Sequence, residues 1–349
     1  MIIYEYTNKM YIARQDLRQI RRIIVADYRE TVDYILGIPL FAQKIGKENL
    51  SSLLCRLGNP EKAIPAVHVA GTNGKGSTCR ALAQMLTGMG YRVGLFTSPH
   101  LVSINERIQI DGENISDADF VWAFETVKEK FTQHPSFFEV MFAMAAVYFR
   151  EKKCDFVVYE TGMGGRLDAT NVLMPELSII TSVGMDHMEY LGDTIEKIAA
   201  EKAGIIKPGI PIIYFKRDEA VAKVIEDTAR GQKSPVIPVE KQDYIINHLG
   251  DKTIDFSLHS RYYSYCNLVI QKTSLYQLEN ISLAVMAFYG LMKARNASEE
   301  DIEKCIRETL PEFYWEGRME EIAPHIYVDG AHNVEAIRAY IDTMRTLHR

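Results

Sequence analysis

The chain has 349 residues, enough for one large or two smaller domains, and its 47% apolar content suits a globular protein with a sizeable core. Forty Lys and Arg against 46 Asp and Glu give a net charge of −6, which argues against a nucleic-acid surface. No apolar run approaches the ~20 residues of a membrane span, and residues 1–28 lack the apolar stretch of a signal peptide, so a cytoplasmic location is expected.

Cys55, Cys79, Cys154, Cys266 and Cys305 are scattered, with no C-x-x-C, and read as reduced thiols. Residues 1–28 set Arg14, Arg18, Arg21 and Arg22 beside Leu17, Ile20, Ile23 and Ile24, the pattern of a solvated amphipathic helix. Helical spacing recurs from Tyr28 to Leu57 and breaks at Gly58-Asn59-Pro60.

The apolar run Ala66–Ala70 reads as a buried strand. Gly71-Thr72-Asn73-Gly74-Lys75-Gly76-Ser77 follows, and a helical pattern runs from Thr78 to Met89. Strand, glycine loop and helix make a phosphate cradle, in which backbone N–H groups and a helix N-terminus face an anion. Lys75 can reach outer phosphates and the Ser77 hydroxyl can ligate Mg²⁺. The spacing departs from G-x-x-x-x-G-K-[ST], because two residues separate Gly71 from Gly74 and Gly76 follows the lysine.

Arg92–Thr97 is a second strand, ending at Ser98-Pro99-His100. Residues 101–116 hold short strands and a turn at Asp111-Gly112. Ser116 caps a helix to about residue 133, and Phe137–Lys153, apolar nearly all round, is a buried helix carrying Phe138 and Glu139 in its first turn. Phe156–Tyr159 delivers Glu160 at a strand end. The Gly162–Asn171 stretch fails as a dinucleotide fingerprint, because Leu167 stands where the third glycine belongs. Leu177–Val183 ends at Gly184-Met185-Asp186-His187, and a helix spans Thr194–Ala203. Pro211–Phe215 is a further strand, followed by a helix over 219–230. Residues 236–273 alternate and suit an antiparallel edge or appended sheet. Helices over Leu278–Ala294 and to about Leu310 follow. The loop Trp315–Arg318, the strand Ile326–Val328 and a helix over 334–347 end the chain.

Alternation of strands and helices predicts an α/β fold with a parallel sheet, whose ligands sit at strand C-termini. Ser77, Ser98, Glu160 and His187 then converge on one edge as a set of hard oxygens and an imidazole suited to Mg²⁺ beside phosphates. Asp186-His187 could instead form an acid–base pair. Lys202, beside Glu201, reads as half of a solvated ion pair. From the residues alone this is an ATP-dependent, Mg²⁺-using enzyme with an unnamed acceptor.

In order along the chain stand His68-Val-Ala-Gly-Thr-Asn-Gly-Lys-Gly-Ser77, Thr97-Ser-Pro-His-Leu101, Asn105-Glu-Arg107, Gly164-Gly-Arg-Leu-Asp-Ala-Thr-Asn171, Asp186-His187, Glu201-Lys-Ala-Gly-Ile-Ile-Lys207, Gly317-Arg318 and Asp329-Gly-Ala-His-Asn333. From about Tyr28 onward the chain closely resembles the bacterial folylpolyglutamate synthase/dihydrofolate synthase family, a branch of the Mur-type amide ligases. The resemblance implies that ATP phosphorylates a carboxylate of dihydropteroate or a reduced folate, and that the amine of L-glutamate attacks the acyl phosphate. It implies that Gly71, Thr72, Asn73, Gly74, Lys75, Gly76 and Ser77 hold the phosphates, and that Asn280, Arg318, Asp329 and His332 surround the nucleotide. Ser98 and Glu160 would hold one Mg²⁺ and His187 a second. Lys202 would be carbamylated, in place of the solvated ion pair, and Lys75, Lys202 and His187 would serve catalysis. Phe138 and Asp168 would line the pterin pocket.

The expected organisation is an extension over 1–27, an ATP-binding Mur-ligase-type domain over 28–294 with a small antiparallel addition, and the start of a C-terminal α/β domain over 295–349. The family's C-terminal domain continues well past this point, so an incomplete glutamate site is expected. A monomer with small-molecule partners only is expected, without nucleic acid or membrane. An ATP- and folate-binding protein without ligase activity and a small-molecule kinase are the competing readings. The first predicts nucleotide binding without turnover, the second a stable phosphorylated product.

Overall fold

The structure, a computed structural model, describes residues 27–39, 48–133, 135–250, 253–271 and 274–347. The amphipathic pattern over residues 1–26 lies outside the described residues. Helix α1 covers 27–36 and α2 Glu48–Arg56. Strand β1 (Ala66–Ala70) leads through the glycine loop into α3 (Lys75–Gly88), then come β2 (Val93–Phe96), β3 (Ile108–Ile110) and β4 (Glu113–Asn114). Helices α4 (Asp117–Lys128) and α5 (Phe137–Glu151) precede β5 (Phe156–Glu160) and β6 (Leu177–Ile180). The short α6 (Met188–Leu191), α7 (Ile195–Ala203), β7 (Ile212–Lys216), α8 (Glu219–Gly231) and β8 (Val236–Glu240) follow. Strands β9 (Tyr244–Leu249), β10 (Thr253–His259) and β11 (Ser264–Gln271) form a separate antiparallel sheet. The chain continues through α9 (Gln277–Ala294), α10 (Glu299–Thr309), the hairpin β12 (Glu320–Ala323) and β13 (Ile326–Val328), and α11 (Val334–Leu347).

The main sheet runs β4-β3-β2-β5-β1-β6-β7-β8, parallel except for β3 and β4. Successive strand residues face opposite layers. Val67 and Val69 pack with α3, α9 and α10, whereas Ala66 and Ala70 face the opposite layers, toward α4 and α5 or toward α7 and α8. Burial on both faces explains why these strands read as unbroken apolar runs. One expectation is corrected: Val236–Glu240 belongs to the main sheet as its parallel edge strand, not to the appended sheet. Pro238 is tolerated there because an edge strand needs hydrogen bonds on one side only. The sequence reading also lacked β12, a half-exposed partner of β13.

Ser116, Ser136, Thr194, Asp218 and Ser298 cap α4, α5, α7, α8 and α10 with side-chain oxygens. Glu139 completes a capping box with Ser136. All five cysteines are free. Among the described residues no helix is long and apolar enough to cross a membrane.

Candidate active site

Strand β1 sits between β5 and β6, and the crossover from β1 runs to β2 on one side whereas that from β5 runs to β6 on the other. This is the switch point where doubly wound sheets bind ligands. Three strand ends meet there: β1 with the glycine loop, β5 with Glu160, and β6 with Thr181 and Ser182. Helix α3 begins at Lys75, three residues earlier than the pattern suggested, and its N-cap Gly74 supplies no side-chain cap. The N–H groups of its first turn have no intrahelical partner, the arrangement that suits an anion at a helix start.

Neighbouring hydroxyls hold the loop. Thr181 Oγ1 donates to the Asn73 carbonyl (2.7 Å), and the Asn73 N–H donates to Ser182 Oγ (3.0 Å). The Thr72 N–H donates to the Ser182 carbonyl (2.7 Å), and Thr72 Oγ1 accepts from the Gly184 N–H (3.0 Å). The sequence reading missed Thr181 and Ser182. Their signal is a pair of hydroxyls just past an apolar strand at the ligand edge. A Cβ on Gly71 would lie 1.8 Å from Thr181 Oγ1, and one on Gly74 would lie 2.1 Å from Asn280 Oδ1. Gly74 also has φ +84°, a region that strains any L side chain. Gly74→Ala is expected to destabilise the fold by about 1–3 kcal/mol and to remove nucleotide binding, read by thermal melts with and without an ATP analogue.

Lys75 Nζ donates to the carbonyls of its own loop, Gly71 (3.1 Å) and Thr72 (3.2 Å). Glu160 is buried, and the Ser98 N–H donates to its Oε2 (3.0 Å). Burial pushes its carboxyl up, and the nearby charge of Lys75, the Ser98 N–H, Arg318 and Arg107 oppose that rise. Among the described residues no three His, Cys, Asp or Glu groups cluster tightly enough to hold a metal alone. A lone carboxylate with the Ser77 and Ser98 hydroxyls instead suits a cation that shares its shell with phosphate oxygens, the usual habit of Mg²⁺.

The C-terminal segment closes over this edge. Arg318, Asp329 and His332 line one cleft with the glycine loop, Ser98, Glu160 and Asn280. Asp329 accepts from Tyr276 Oη (2.5 Å) and from the N–H groups of Met319 and Ala331 (both 2.9 Å). Asn333 Nδ2 donates to Asn73 Oδ1 (2.9 Å) and to Asp186 Oδ2 (3.1 Å). Arg217 pairs with Glu279 of α9 and Glu335 of α11, tying the last helix to the sheet. The sequence reading missed Arg217, Glu279 and Glu335, because pairings across so much chain leave no periodic trace.

Besides Gly71 at the base of the loop, four expected residues stand outside that cleft. The His187 side chain is half exposed at the start of α6, and its Nε2 lies 4.0 Å from Asp186 Oδ1, too far for the hydrogen-bonded acid–base pair considered above. Phe138 packs at a tilt against Phe96, with centroids 5.5 Å apart, and a Cβ on Gly162 would lie 2.8 Å from its ring. Asp168 is buried and accepts from the Met163 N–H (3.0 Å) and Thr170 Oγ1 (2.5 Å), so both residues flank the Gly162–Met163 turn. The reading of Lys202 as a solvated partner of Glu201 is corrected. Glu201 pairs with Arg166 (2.7 Å), whereas Lys202 is 2% exposed. Burial and then the charge of Lys75 pull its amine down to about 7, against Asp186 and Asp168.

Comparison with known proteins agrees with this geometry. The Mur ligase middle domain matches residues 69–288. The chain is 40% identical to the dihydrofolate synthase/folylpolyglutamate synthase of Bacillus subtilis, over 91% of this chain and 76% of that protein. The apo form of L. casei FPGS superposes with a TM-score of 0.86 at 34% identity, covering 92% of this chain and 80% of that one. An FPGS–AMPPCP–folate complex gives the same TM-score, identity and coverage, 0.86, 34%, 92% and 80%. A glycine loop at the switch point of a parallel sheet, a C-terminal segment folded over it and matches along nine-tenths of its length show that the chain belongs to the folylpolyglutamate synthase/dihydrofolate synthase family of Mur-type ligases.

Proposed function

We propose that the chain is an ATP-dependent amide ligase that joins L-glutamate to the carboxylate of a reduced folate or dihydropteroate through an acyl phosphate. The observation that carries this reading is the convergence of the uncapped start of α3, Lys75, Glu160 and Arg318 in one cleft. In it, the N–H groups of Gly74 to Ser77 hold the phosphates, and Lys75 leaves its loop carbonyls for the terminal phosphoryl group. Asn280, Arg318, Asp329 and His332 surround the rest of the nucleotide. The substrate carboxylate attacks the terminal phosphorus, and ADP leaves. The glutamate amine then attacks the acyl carbon, and phosphate leaves. Phosphoryl transfer of this kind needs positioning and positive charge more than covalent help.

Glu160 with the Ser98 and Ser77 hydroxyls would hold one Mg²⁺, and His187 would serve a second. Magnesium there supplies charge neutralisation at the phosphoryl oxygens. Lys202 would be carbamylated, its neutral amine adding to CO₂ and releasing a proton. Phe138 and Asp168 would contact the pterin.

The test is ADP release measured with each substrate omitted in turn. Release that requires both L-glutamate and dihydropteroate or a reduced folate supports the ligase. Nucleotide binding without turnover, or a stable phosphorylated product without an amide, rejects it.

A further inference from the structure

A second cavity, about 440 Å³, adjoins the nucleotide cleft. The two share Gly76, Ser98, Glu160 and Arg318 as a common wall, so the second opens on residues assigned to the phosphates, the Mg²⁺ and the nucleotide. Its volume falls within the range of about 300–1,000 Å³ usual for small-molecule sites. Arg80, Gln109, Gly112 and Trp315 line its other side. Arg80 leaves α3 just past the phosphate loop and lies 5.9 Å from the centre of the Trp315 ring. One of its terminal nitrogens donates to Gln109 Oε1 over a long 3.4 Å, and its buried Nε has no hydrogen-bond partner among the described residues. An unpaired guanidinium N–H away from water is costly, and a planar fork beside a cavity matches a carboxylate.

The surroundings are shaped for the fork. Gly112, at φ +86°, lies against it, and a Cβ there would stand 2.9 Å from Arg80 Nη1. The Trp315 indole closes the cavity against the first turn of α3, 3.3 Å from where a Gly76 Cβ would be. Glu113 and Glu316 also line the cavity and act on the charge of Arg80. Guanidinium, aromatic wall and carboxylates together match an α-amino acid, which carries a carboxylate, methylenes and an ammonium.

We propose that this cavity binds the α-carboxylate of a glutamyl unit, with Arg80 as its anchor and Trp315 against its methylenes. The assignment rests on the ligase reading and deepens it. The unit is either the incoming amino acid or the glutamate already attached to a folate, and substrate choice separates the two. Dihydropteroate carries no glutamyl unit, so with it only the incoming amino acid can use the anchor.

Arg80→Ala and Arg80→Lys are to be compared with the wild type in KM for L-glutamate, for dihydropteroate and for a reduced folate monoglutamate. Loss of one charge-assisted carboxylate pair predicts a rise of about ten- to a hundredfold in the KM for L-glutamate with dihydropteroate, smaller for lysine, with the KM for ATP within about twofold. A rise confined to the reduced folate also supports the anchor and assigns it to the attached unit. Unchanged values for both, in a variant with wild-type melting temperature, overturn it. Should Arg80→Ala fold poorly, Trp315→Ala is read in the same assay and must raise the same KM. Saturation-transfer NMR of L-glutamate and of the folate monoglutamate with an ATP analogue separates the two claims. Binding that Arg80→Lys weakens, without wild-type turnover, rejects the ligase and keeps the anchor. No Arg80-dependent binding of either ligand rejects the anchor.

Discussion

Lys75→Ala is expected to leave the fold intact and to lower turnover by about a thousandfold or more. Among the described residues the side chain hydrogen-bonds only to the carbonyls of its own loop, at 3.1 and 3.2 Å, so its removal breaks no long-range hydrogen bond there. What disappears is a cation at the point where phosphoryl charge develops, in the cleft lined by the glycine loop and Glu160. Single preorganised groups of this kind are worth about a hundred- to a thousandfold, and dedicated phosphoryl cations more. A second effect follows through Glu160. Its carboxyl is raised by burial, and Lys75 heads the groups opposing that rise. A carboxyl whose folded value lies above its unfolded 4.5 loses stability as pH climbs, because the unfolded chain ionises first. Without Lys75 that loss deepens. The stability gap between wild type and variant should therefore widen as pH rises above 4.5, which denaturant titrations at a series of pH values check. A gap independent of pH would remove Glu160 from the explanation.

Lys202→Met is expected to abolish activity and yet stabilise the protein at pH 7 in CO₂-free buffer. The amine titrates at about 7 in the fold and at 10.5 in the unfolded chain. Between those values the unfolded chain binds more protons, so the wild type gains stability as pH rises through the window. Near pH 7 the buried amine costs on the order of a few kcal/mol, at 1.36 kcal/mol per pKa unit. Methionine fills similar space without that penalty, so the melting-temperature difference should be greatest at and below pH 7 and shrink toward pH 10. A residue kept at such an expense fits a chemical role. Its amine is half neutral at physiological pH, the form that adds to CO₂. ¹³C-bicarbonate should yield a carbamate resonance in the wild type that Lys202→Met lacks. The same spectrum in both proteins would end that assignment.

The Lys202 case shows what the sequence could and could not say. Glu201 and Lys197 beside it suggest a solvated face, but Ile198, Ala199 and Ala203 form a buried stripe that also contains position 202. The 3.6-residue period carried the right signal, and the charge of the neighbours masked it. Strands were legible because burial on both faces makes apolar runs, and the phosphate loop because its glycines interrupt one. Asn73 with Asn333 and Arg217 with Glu335 were not legible, since such pairings depend on how the C-terminal segment docks. Arg80 was not singled out either, since the indole beside it comes from Trp315, more than 230 residues further along the chain.

Transfer of oxygen tests the acyl phosphate directly. The reaction is run with ATP, L-glutamate and dihydropteroate labelled with ¹⁸O in its carboxylate, and the released phosphate is examined by mass spectrometry. Carboxylate attack on the terminal phosphorus followed by displacement by the amine leaves one labelled oxygen in each phosphate, matched by one new amide. Amide formation with unlabelled phosphate, or phosphate release without amide, would contradict it.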